Sequence, residues 1–336
     1  MDELRVGVVG YGYWGPNIVR NFAASKDAKV CAVCDMNPKV FTKVLAQLPQ
    51  ATTSTRYADI TTSPDIDVVA VVTPVSAHFE IAKSALENGK HVFVEKPFAA
   101  TSEQAKRLIE IAARKGLRIM VDHTFLFTPA VRKIKELIET DVLGKIYYYD
   151  STRINLGLFQ HDVNVLWDLA PHDLAIVDYV LGKPAKAITA NGVDHLGKGI
   201  ENIAFLTLYY EDGTIAHFNV NWLSPVKIRL TLIGGDKKML VWNDLSPDEK
   251  IRIYDRGVDV GDAEGLHRLL VSYRSGDMWA PRLDRTEALT SEIDRFLEGI
   301  RTGAPFLNDG QAGLRIVRML EASSESIRQQ GKLVEL

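Results

Sequence analysis

The first part of this chain takes its fold from residues 5–15, which read Arg5-Val6-Gly7-Val8-Val9-Gly10-Tyr11-Gly12-Tyr13-Trp14-Gly15. Its first half is typical of a buried strand, and its second half has the form G-x-G-x-x-G that joins such a strand to a helix. The first glycine allows a tight turn, the second lets a pyrophosphate approach bare backbone, and the third lets strand and helix pack closely. The helix amides then face the pyrophosphate. The stretch therefore predicts a dinucleotide site at Gly10, Gly12, Tyr13, Trp14 and Gly15.

Asp35 follows Gly15 by 20 residues, at the end of a second predicted strand over residues 29–34. A carboxylate at this spacing accepts hydrogen bonds from the ribose of adenosine. Because Met36 to Pro38 include no arginine to neutralise a 2′-phosphate, we expect NAD rather than NADP as the cofactor. A glycine turn in an unrelated α/β domain is the alternative interpretation.

Composition excludes several classes of protein. The net charge of −3, with no long basic block, argues against a nucleic-acid partner. No apolar run reaches the length of a membrane span, and no signal-peptide pattern opens the sequence, so we expect no membrane association and a cytoplasmic location. Cys31 and Cys34 form a C-x-x-C inside a predicted strand, where buried packing is expected rather than redox or metal chemistry.

Strands and helices alternate strictly up to about residue 122. Apolar runs at 67–72, 91–94 and 117–121 predict buried strands, and amphipathic runs between them predict helices. This alternation is typical of a doubly wound parallel sheet, which binds ligands at the carboxyl ends of its strands. We therefore assign residues 1–122 to an α/β cofactor-binding domain. The predicted strand ends add these cofactor contacts: Thr73, Pro74, His78, Glu95, Lys96 and Pro97.

Residues 123–336 change pattern and predict a second, α+β domain. Its later segments alternate as antiparallel strands do, and Glu211–Thr214 is a hairpin signal. Helices are predicted to cover one face of a large, mostly antiparallel sheet. Because a free apolar face commonly becomes a subunit interface, we expect a homodimer or homotetramer formed through this sheet.

Lys96, in Glu95-Lys96-Pro97, is the first candidate catalytic residue. The motif ends an apolar strand on the cofactor edge of the sheet, and an X-Pro bond in such a turn can be cis. A lysine held there stabilises a developing alkoxide by its positive charge. The spacing fits an ordinary surface Lys-Pro loop equally well.

Asp168 and His172 are the second candidate catalytic pair. They are four residues apart, so they share one face of a predicted helix, and a carboxylate beside an imidazole suits a general base. Pro171 complicates this interpretation, because the helix can instead begin near Leu169 with Asp168 as its N-cap. His161 and Asp162 also make a metal site possible, but a zinc site for hydride transfer usually includes thiolate, and we expect no metal.

These motifs, in this order, resemble the Gfo/Idh/MocA oxidoreductase family over the whole chain. The resemblance rests on Gly10 to Gly15, Thr73-Pro74 to His78, Glu95-Lys96-Pro97 and Asp168-x-x-x-His172. It implies a Rossmann domain, a second domain with a large antiparallel sheet, and a tightly held nicotinamide cofactor. It also implies that Lys96 and His172 are catalytic, with Asp168 beside them.

The segment Asp162 to Trp167 departs from the commonest family pattern, which has glycines before the aspartate. Together with Gly12 to Asn17, it resembles the branch that acts on nucleotide-linked sugars. The branch implies an NAD-dependent oxidoreductase acting on a secondary hydroxyl or keto carbon of a sugar. Alternatives are an inositol, polyol or free-sugar dehydrogenase, an NAD-dependent glycosidase of the same fold, and a non-enzymatic sensor. The candidate substrate contacts are His123, Arg153, Asn155, His161, Asn164 and His172.

Overall fold

A computed structural model describes residues 3–157, 163–255, 257–260, 271–274 and 276–336, with backbone alone for 257–260 and 271–274. The chain divides into two compact units. The first unit comprises Met1–Thr128 and Thr286–Glu321, and the second comprises Pro129–Arg285 and Ala322–Leu336.

The helices alternate with strands in the first third of the chain and are sparser afterwards. In chain order they are α1 (Gly15–Ala24), α2 (Phe41–Gln47), α3 (Ala58–Thr61), α4 (Val75–Glu87), α5 (Ser102–Lys115), α6 (Pro129–Glu139), α7 (Val165–Leu181), α8 (Ala288–Thr302) and α9 (Gly310–Arg328). Short 3-10 turns occupy Pro38–Val40 and Thr124–Phe127.

Six strands belong to the first unit: β1 (Leu4–Val9), β2 (Ala28–Cys34), β3 (Thr52–Ser54), β4 (Val68–Val71), β5 (His91–Glu95) and β6 (Ile119–Asp122). The others are β7 (Ile146–Leu156), β8 (Ala187–Val193), β9 (Ile203–Tyr209), β10 (Ile215–Asn221), β11 (Leu223–Gly235), β12 (Met239–Asn243), β13 (Ile251–Tyr254), β14 (Gly257–Val260), β15 (Val271–Arg274), β16 (Met278–Trp279) and β17 (Val334–Glu335).

The first unit is a doubly wound parallel sheet, as the alternation of strands and helices predicted. Its strand order is β3-β2-β1-β4-β5-β6, and each neighbouring pair runs parallel. This order reverses between β1 and β4, which places the glycine turn after β1 at the point where such sheets bind dinucleotides. The sequence pattern missed β3 and α3, which are too short to show a period.

The core of the first unit includes a helix from far along the chain. Phe93 of β5 packs edge-on against Phe22 of α1 and also meets Phe296 of α8, with ring centroids 5.7 and 5.6 Å apart. Phe22, Phe93 and Phe296 are all fully buried. Because α8 completes this core, the first unit extends beyond the sequence boundary near residue 122 and takes in residues 286–321.

The second unit is built on a nine-stranded sheet in the order β16-β13-β12-β11-β7-β10-β9-β8-β17. Its described pairs are antiparallel except for β10 beside β7. The turn at Glu211–Thr214 joins β9 to β10, so the predicted hairpin is confirmed. Helix α7 packs on β7, β9 and β10, which buries one face of the sheet. On β9 and β10 the alternate residues stay partly exposed, including Phe205 and Ile215.

Cys31 and Cys34 both lie in β2, as predicted, and neither is part of a disulfide. Cys34 is buried and Cys31 is partly exposed. Burial, with a smaller effect from Asp35, raises the pKa of the Cys34 thiol to about 11. A thiol held in its protonated form is a poor nucleophile, so Cys34 acts as a packing residue. Among the described helices, none combines the length and apolar character that a bilayer crossing requires.

Candidate active site

The glycine turn after β1 has the geometry of a phosphate cradle. Gly10 has φ +105°, and a Cβ there would lie 2.1 Å from the carbonyl oxygen of Val72, so only glycine fits. A Cβ on Gly15 would lie 2.6 Å from the Gly10 carbonyl oxygen. At Gly12, in contrast, a Cβ would meet nothing within 4 Å. The space left open at Gly12 fits a group that must approach the backbone closely, such as a pyrophosphate.

Helix α1 begins directly at this turn. Its N-cap residue, Trp14, makes no side-chain capping hydrogen bond, and Pro16 occupies the first turn. A helix end without a capping side chain presents backbone amides and a partial positive charge to an anion. The turn and the helix therefore offer a pyrophosphate both hydrogen-bond donors and a favourable field.

The carboxylate of Asp35 is held by two backbone amides. Its Oδ2 accepts a hydrogen bond from the amide of Tyr11 at 2.7 Å, and its Oδ1 accepts one from the amide of Asn37 at 2.8 Å. These contacts fix a partly exposed acceptor at the end of β2, beside the glycine turn. A carboxylate has about four lone-pair sites, so Asp35 retains capacity for two ribose hydroxyls.

His78 joins the ends of two strands in the first unit. It is fully buried, with Nε2 2.7 Å from the carbonyl oxygen of Thr73 and Nδ1 2.9 Å from that of Pro97. Burial lowers the pKa of His78, although the two carbonyls oppose this by favouring the charged form. Thr73 follows β4 and Pro97 follows β5, so His78 ties together the loops on either side of the predicted nicotinamide site. The Lys96–Pro97 bond is cis.

Two buried polar groups at strand ends have no partner among the described residues. They are the hydroxyl of Thr73, after β4, and both ring nitrogens of His123, after β6. His123 is only 2% exposed, and burial lowers its pKa to about 4, against the opposing effect of Asp122. Buried polar groups in proteins are normally hydrogen-bonded. Unsatisfied groups at this edge of the sheet fit a polar ligand such as a nicotinamide ring with its amide.

Asp168 and His172 lie on one helix, α7, as predicted. The helix begins at Val165, and its N-cap is Asn164, whose side-chain oxygen accepts the amide hydrogen of Trp167 at 3.0 Å. The alternative helix start near Leu169, with Asp168 as N-cap, is therefore wrong: Asn164 caps the helix, and Pro171 is accommodated inside it. Asp168 Oδ2 accepts a hydrogen bond from the indole of Trp222 at 3.1 Å.

The predicted substrate contacts have different local surroundings. Arg153, on β7, forms a buried ion pair with Asp173, with Nε–Oδ2 and Nη2–Oδ1 distances of 2.7 and 3.0 Å. Burial lowers the pKa of Arg153, but Asp173 more than restores it. Asn164 also donates to Glu201 at 2.7 Å. Asn155 lies near the end of β7, half-buried, and His161 lies outside the described residues.

Sequence reasoning missed several residues that fix these groups. Asp173 accepts a hydrogen bond from Arg153, and the indole of Trp222 donates one to Asp168. Asp122 accepts the indole N–H of Trp14 at 2.9 Å. Asp122 directly follows the predicted strand at 117–121, and a polar residue at such a strand end is a signal that the sequence contains. Nothing in the sequence pairs Asp173 with Arg153, because one lies on a helix and the other on a strand.

Two family models match this chain. Residues 4–123 match the model for "Oxidoreductase family, NAD-binding Rossmann fold", and residues 131–240 match the GFO/IDH/MocA C-terminal domain. The chain belongs to the Gfo/Idh/MocA oxidoreductase family, so the resemblance seen in the sequence is confirmed. It is an oxidoreductase, and the relatives found are named oxidoreductases or dehydrogenases, several of them dehydrogenases of sugars or inositols.

Two curated relatives align over nearly the whole chain. UDP-N-acetylglucosamine 3-dehydrogenase of Acidithiobacillus ferrooxidans is 28% identical over 326 residues, covering 94% of this chain and 95% of that protein. The scyllo-inositol 2-dehydrogenase (NADP(+)) IolW of Bacillus subtilis is 24% identical over 360 residues, covering 98% and 95%. The solved structure of the Acidithiobacillus enzyme superposes with a TM-score of 0.81 at 25% identity, covering 98% of this chain and 99% of that one.

Proposed function

We propose that this protein is an NAD-dependent oxidoreductase that moves a hydride between nicotinamide and a secondary hydroxyl or keto carbon of a nucleotide-linked sugar. The observation that carries the proposal is the open space at Gly12, between two glycines that are tightly packed. Family membership supports the reaction class, and the named relatives support a hydroxylated ring as substrate.

The first unit supplies the groups that would hold the cofactor. Gly10 to Gly15 and the start of α1 would receive the pyrophosphate, and Asp35 would receive the adenosine ribose. The unsatisfied groups of Thr73 and His123 would meet the nicotinamide end. Because Asp35 repels a 2′-phosphate and Met36 to Pro38 contain no arginine, we favour NAD over NADP.

Lys96 and His172 are the proposed proton-handling residues. When bound, the nicotinamide supplies the two-electron redox chemistry. The ammonium group of Lys96 would stabilise negative charge on the substrate oxygen, and the imidazole of His172 would accept the hydroxyl proton during oxidation and return it during reduction. Asp168, held by Trp222, lies one turn from His172 on α7 and would set the orientation of the imidazole.

A polyol substrate is the second candidate, favoured by the full-length match to an inositol dehydrogenase. The two candidates differ in what surrounds the reacting ring. A nucleotide-linked sugar carries a diphosphate and a base, whereas an inositol carries neither. Competition by free UDP at saturating NAD therefore discriminates them, since UDP then inhibits only by occupying the place of the nucleotide part of the substrate.

The direct test is a substrate screen that follows NADH absorbance. Purified protein, with its bound nicotinamide state determined first, would be mixed with UDP- and dTDP-sugars, free sugars and inositols in the presence of NAD. Activity with a UDP-sugar and inhibition by UDP are the expected results. Turnover of inositols alone would assign the polyol alternative, and glycoside hydrolysis without net NADH formation would assign the glycosidase alternative.

Variants of the proposed catalytic residues separate chemistry from binding. Lys96→Ala and His172→Ala should retain NAD affinity and lose at least about 100-fold in kcat, the usual contribution of a positioned acid or base. Lys106→Ala on α5 and His195→Ala after β8 are matched controls, because both side chains are exposed to solvent and neither belongs to the predicted site. A variant with near-normal kcat would remove that residue from the mechanism.

We also propose a homodimer or homotetramer joined through the outer face of the nine-stranded sheet. Phe205 is 43% exposed and Ile215 is 40% exposed on neighbouring strands, and the Phe205 ring stacks on His217. Exposed apolar residues on one flat face favour association. Sedimentation of Phe205→Glu should show a smaller species than the wild type, whereas an unchanged mass would assign the interface elsewhere.

A further inference from the structure

The carboxylate of Asp122 accepts hydrogen bonds from two separate segments of the first unit. It ends β6, is 2% exposed, and lies opposite Glu95 in the parallel register of β5 and β6. Its Oδ2 accepts the indole N–H of Trp14 at 2.9 Å, and its Oδ1 accepts the hydroxyl hydrogen of Thr124. The Asp122 carboxylate thus links Trp14 in the glycine turn to the end of β6 and to Thr124 directly after it.

Glu292 of α8 brings a second buried carboxyl group to Asp122. It is fully buried, and its Oε1 accepts a hydrogen bond from the Asn308 amide at 2.6 Å. Its Oε2 finds no donor among the described residues, although Glu292 contacts Asp122 and Thr124. Two ionised carboxylates in contact repel each other, whereas a protonated Oε2 can donate to Asp122. The neutral acid therefore satisfies the buried Oε2 better than the ionised form does.

Glu95, which is half-buried at the end of β5, brings a third carboxyl group next to Asp122. Burial, with Asp122 as the next cause, raises the pKa of Glu95 well above its usual range, and the same two causes act on Glu292. Lys96 is the neighbouring cation, and it offsets part of this effect on Glu95. A carboxylate has about four lone-pair sites, so Asp122 can accept from Trp14, Thr124 and both neutral acids at once.

We propose that Glu95 and Glu292 share their protons with Asp122, and that Asp122 positions the indole of Trp14 in the glycine turn. Asp122 is a positioning residue, since it acts through Trp14. A turn held in one conformation before the cofactor arrives loses less entropy on binding, so affinity increases. The positioning role rests on the proposed function, but the sharing of protons does not.

The proton count is tested by the pH dependence of stability in Glu292→Gln. Glutamine has the shape of the neutral acid and donates from the same position, but it cannot ionise. Above about pH 4.5 the unfolded wild type releases the Glu292 proton and the folded form keeps it, so the folded-to-unfolded ratio should fall with pH. Relative to the variant, the wild type should lose up to about tenfold per pH unit until the folded form also ionises.

The charged groups around the three acids must be held constant in this comparison. They are Lys96 after β5 and His123 after β6; His123 is neutral above about pH 4 because burial lowers its pKa. Glu298→Gln is the control, because Glu298 is exposed on the same helix. Parallel pH profiles for wild type and Glu292→Gln would overturn the shared protons. If Glu292→Gln does not fold, Glu95→Gln provides the same comparison.

The positioning role is tested by a double-mutant cycle on NAD affinity. Trp14→Phe removes the indole N–H and keeps a ring, and Asp122→Asn removes the charge. Each change should weaken NAD binding about tenfold, and the double variant should be no weaker than the worse single variant. Fully additive losses would overturn the role. A wild type that binds no NAD would overturn the proposed function and the positioning role together, while the pH comparison would still decide the proton count.

Discussion

The carboxylate of Asp35 accepts the backbone amide hydrogen of Tyr11 at 2.7 Å, so the residue that would select the cofactor is held by the turn that would bind its pyrophosphate. The same carboxylate accepts from the amide of Asn37 at 2.8 Å. Both oxygens are thereby aimed before a ribose is present. Affinity and cofactor choice should both depend on this residue.

Asp35→Ser should weaken NAD binding by about 10- to 100-fold, the value of one or two hydrogen bonds to a charged group. It should also raise the ratio of NADP to NAD affinity, because the repulsion of a 2′-phosphate is removed. Calorimetric titration with each cofactor measures both effects. Asp65→Asn is the control, since Asp65 is exposed and pairs only with Arg5 among the described residues. An unchanged NADP-to-NAD ratio would count against Asp35 as the ribose acceptor.

Alanine substitutions at Gly12 and Gly10 should have different effects on NAD affinity and on the stability of the fold. Gly12→Ala places its Cβ in open space, so stability should stay within about 1 kcal/mol while NAD affinity falls at least about tenfold. Gly10→Ala combines a positive φ with a 2.1 Å clash against the Val72 carbonyl, so it should cost about 3 kcal/mol or more of stability. Thermal unfolding with and without NAD measures both. Equal NAD affinity in Gly12→Ala and wild type would contradict a pyrophosphate at this place.

The ion pair of Arg153 with Asp173 should be a major determinant of stability in the second unit. Both side chains are at least 95% buried, so Asp173→Asn removes the carboxylate that holds a buried guanidinium and should cost about 3–5 kcal/mol. Asp150→Asn on β7 changes the same charge at a side chain that is 46% exposed, and should cost less than about 1 kcal/mol. Urea unfolding of the two variants is the measurement. Similar losses of unfolding free energy in both variants would mean that burial of the ion pair is not the cause of the destabilisation.

His123 should make stability fall at acid pH. Burial lowers its pKa to about 4 in the folded state, while the unfolded value is about 6.5. The unfolded histidine therefore binds more protons between these values, and the contribution of His123 to stability should decrease as the pH falls from about 6.5 to 4, by at most about 3 kcal/mol. His123→Asn should reduce this slope and leave the pH dependence above pH 7 unchanged, because the histidine is neutral in both states there. His217→Asn, at an exposed site, should keep the wild-type slope.

The fold was predictable wherever a long helix or strand shows a clear periodicity of apolar residues. The alternation after Gly15 gave the parallel sheet, and the turn at Glu211–Thr214 gave the hairpin. The placement of α8 was not predictable, because its amphipathic pattern shows that it packs but not on which core; Phe296 meets Phe93 across about two hundred residues of chain. Short elements such as β3 carry no period at all.

The candidate site was predictable where a motif has a backbone requirement. Gly10, Gly15 and Asp35 have the geometry that G-x-G-x-x-G and its spacing demand. The helix start at Asn164 was uncertain from sequence, because Asn164 and Asp168 both suit an N-cap and only the backbone decides between them. Glu292 was missed, since a single glutamate on an amphipathic helix gives no sign of full burial.

We propose above all that hydride passes between nicotinamide and a sugar carbinol with the help of Lys96. The most direct measurement is isotope transfer from UDP-N-acetylglucosamine deuterated at C3, with NAD, followed by mass spectrometry of the dinucleotide. We predict deuterium in the reduced nicotinamide with the wild type, and at least about 100-fold slower transfer with Lys96→Ala. Unlabelled dinucleotide, with neither this sugar nor any other UDP-sugar reducing NAD, would contradict the account.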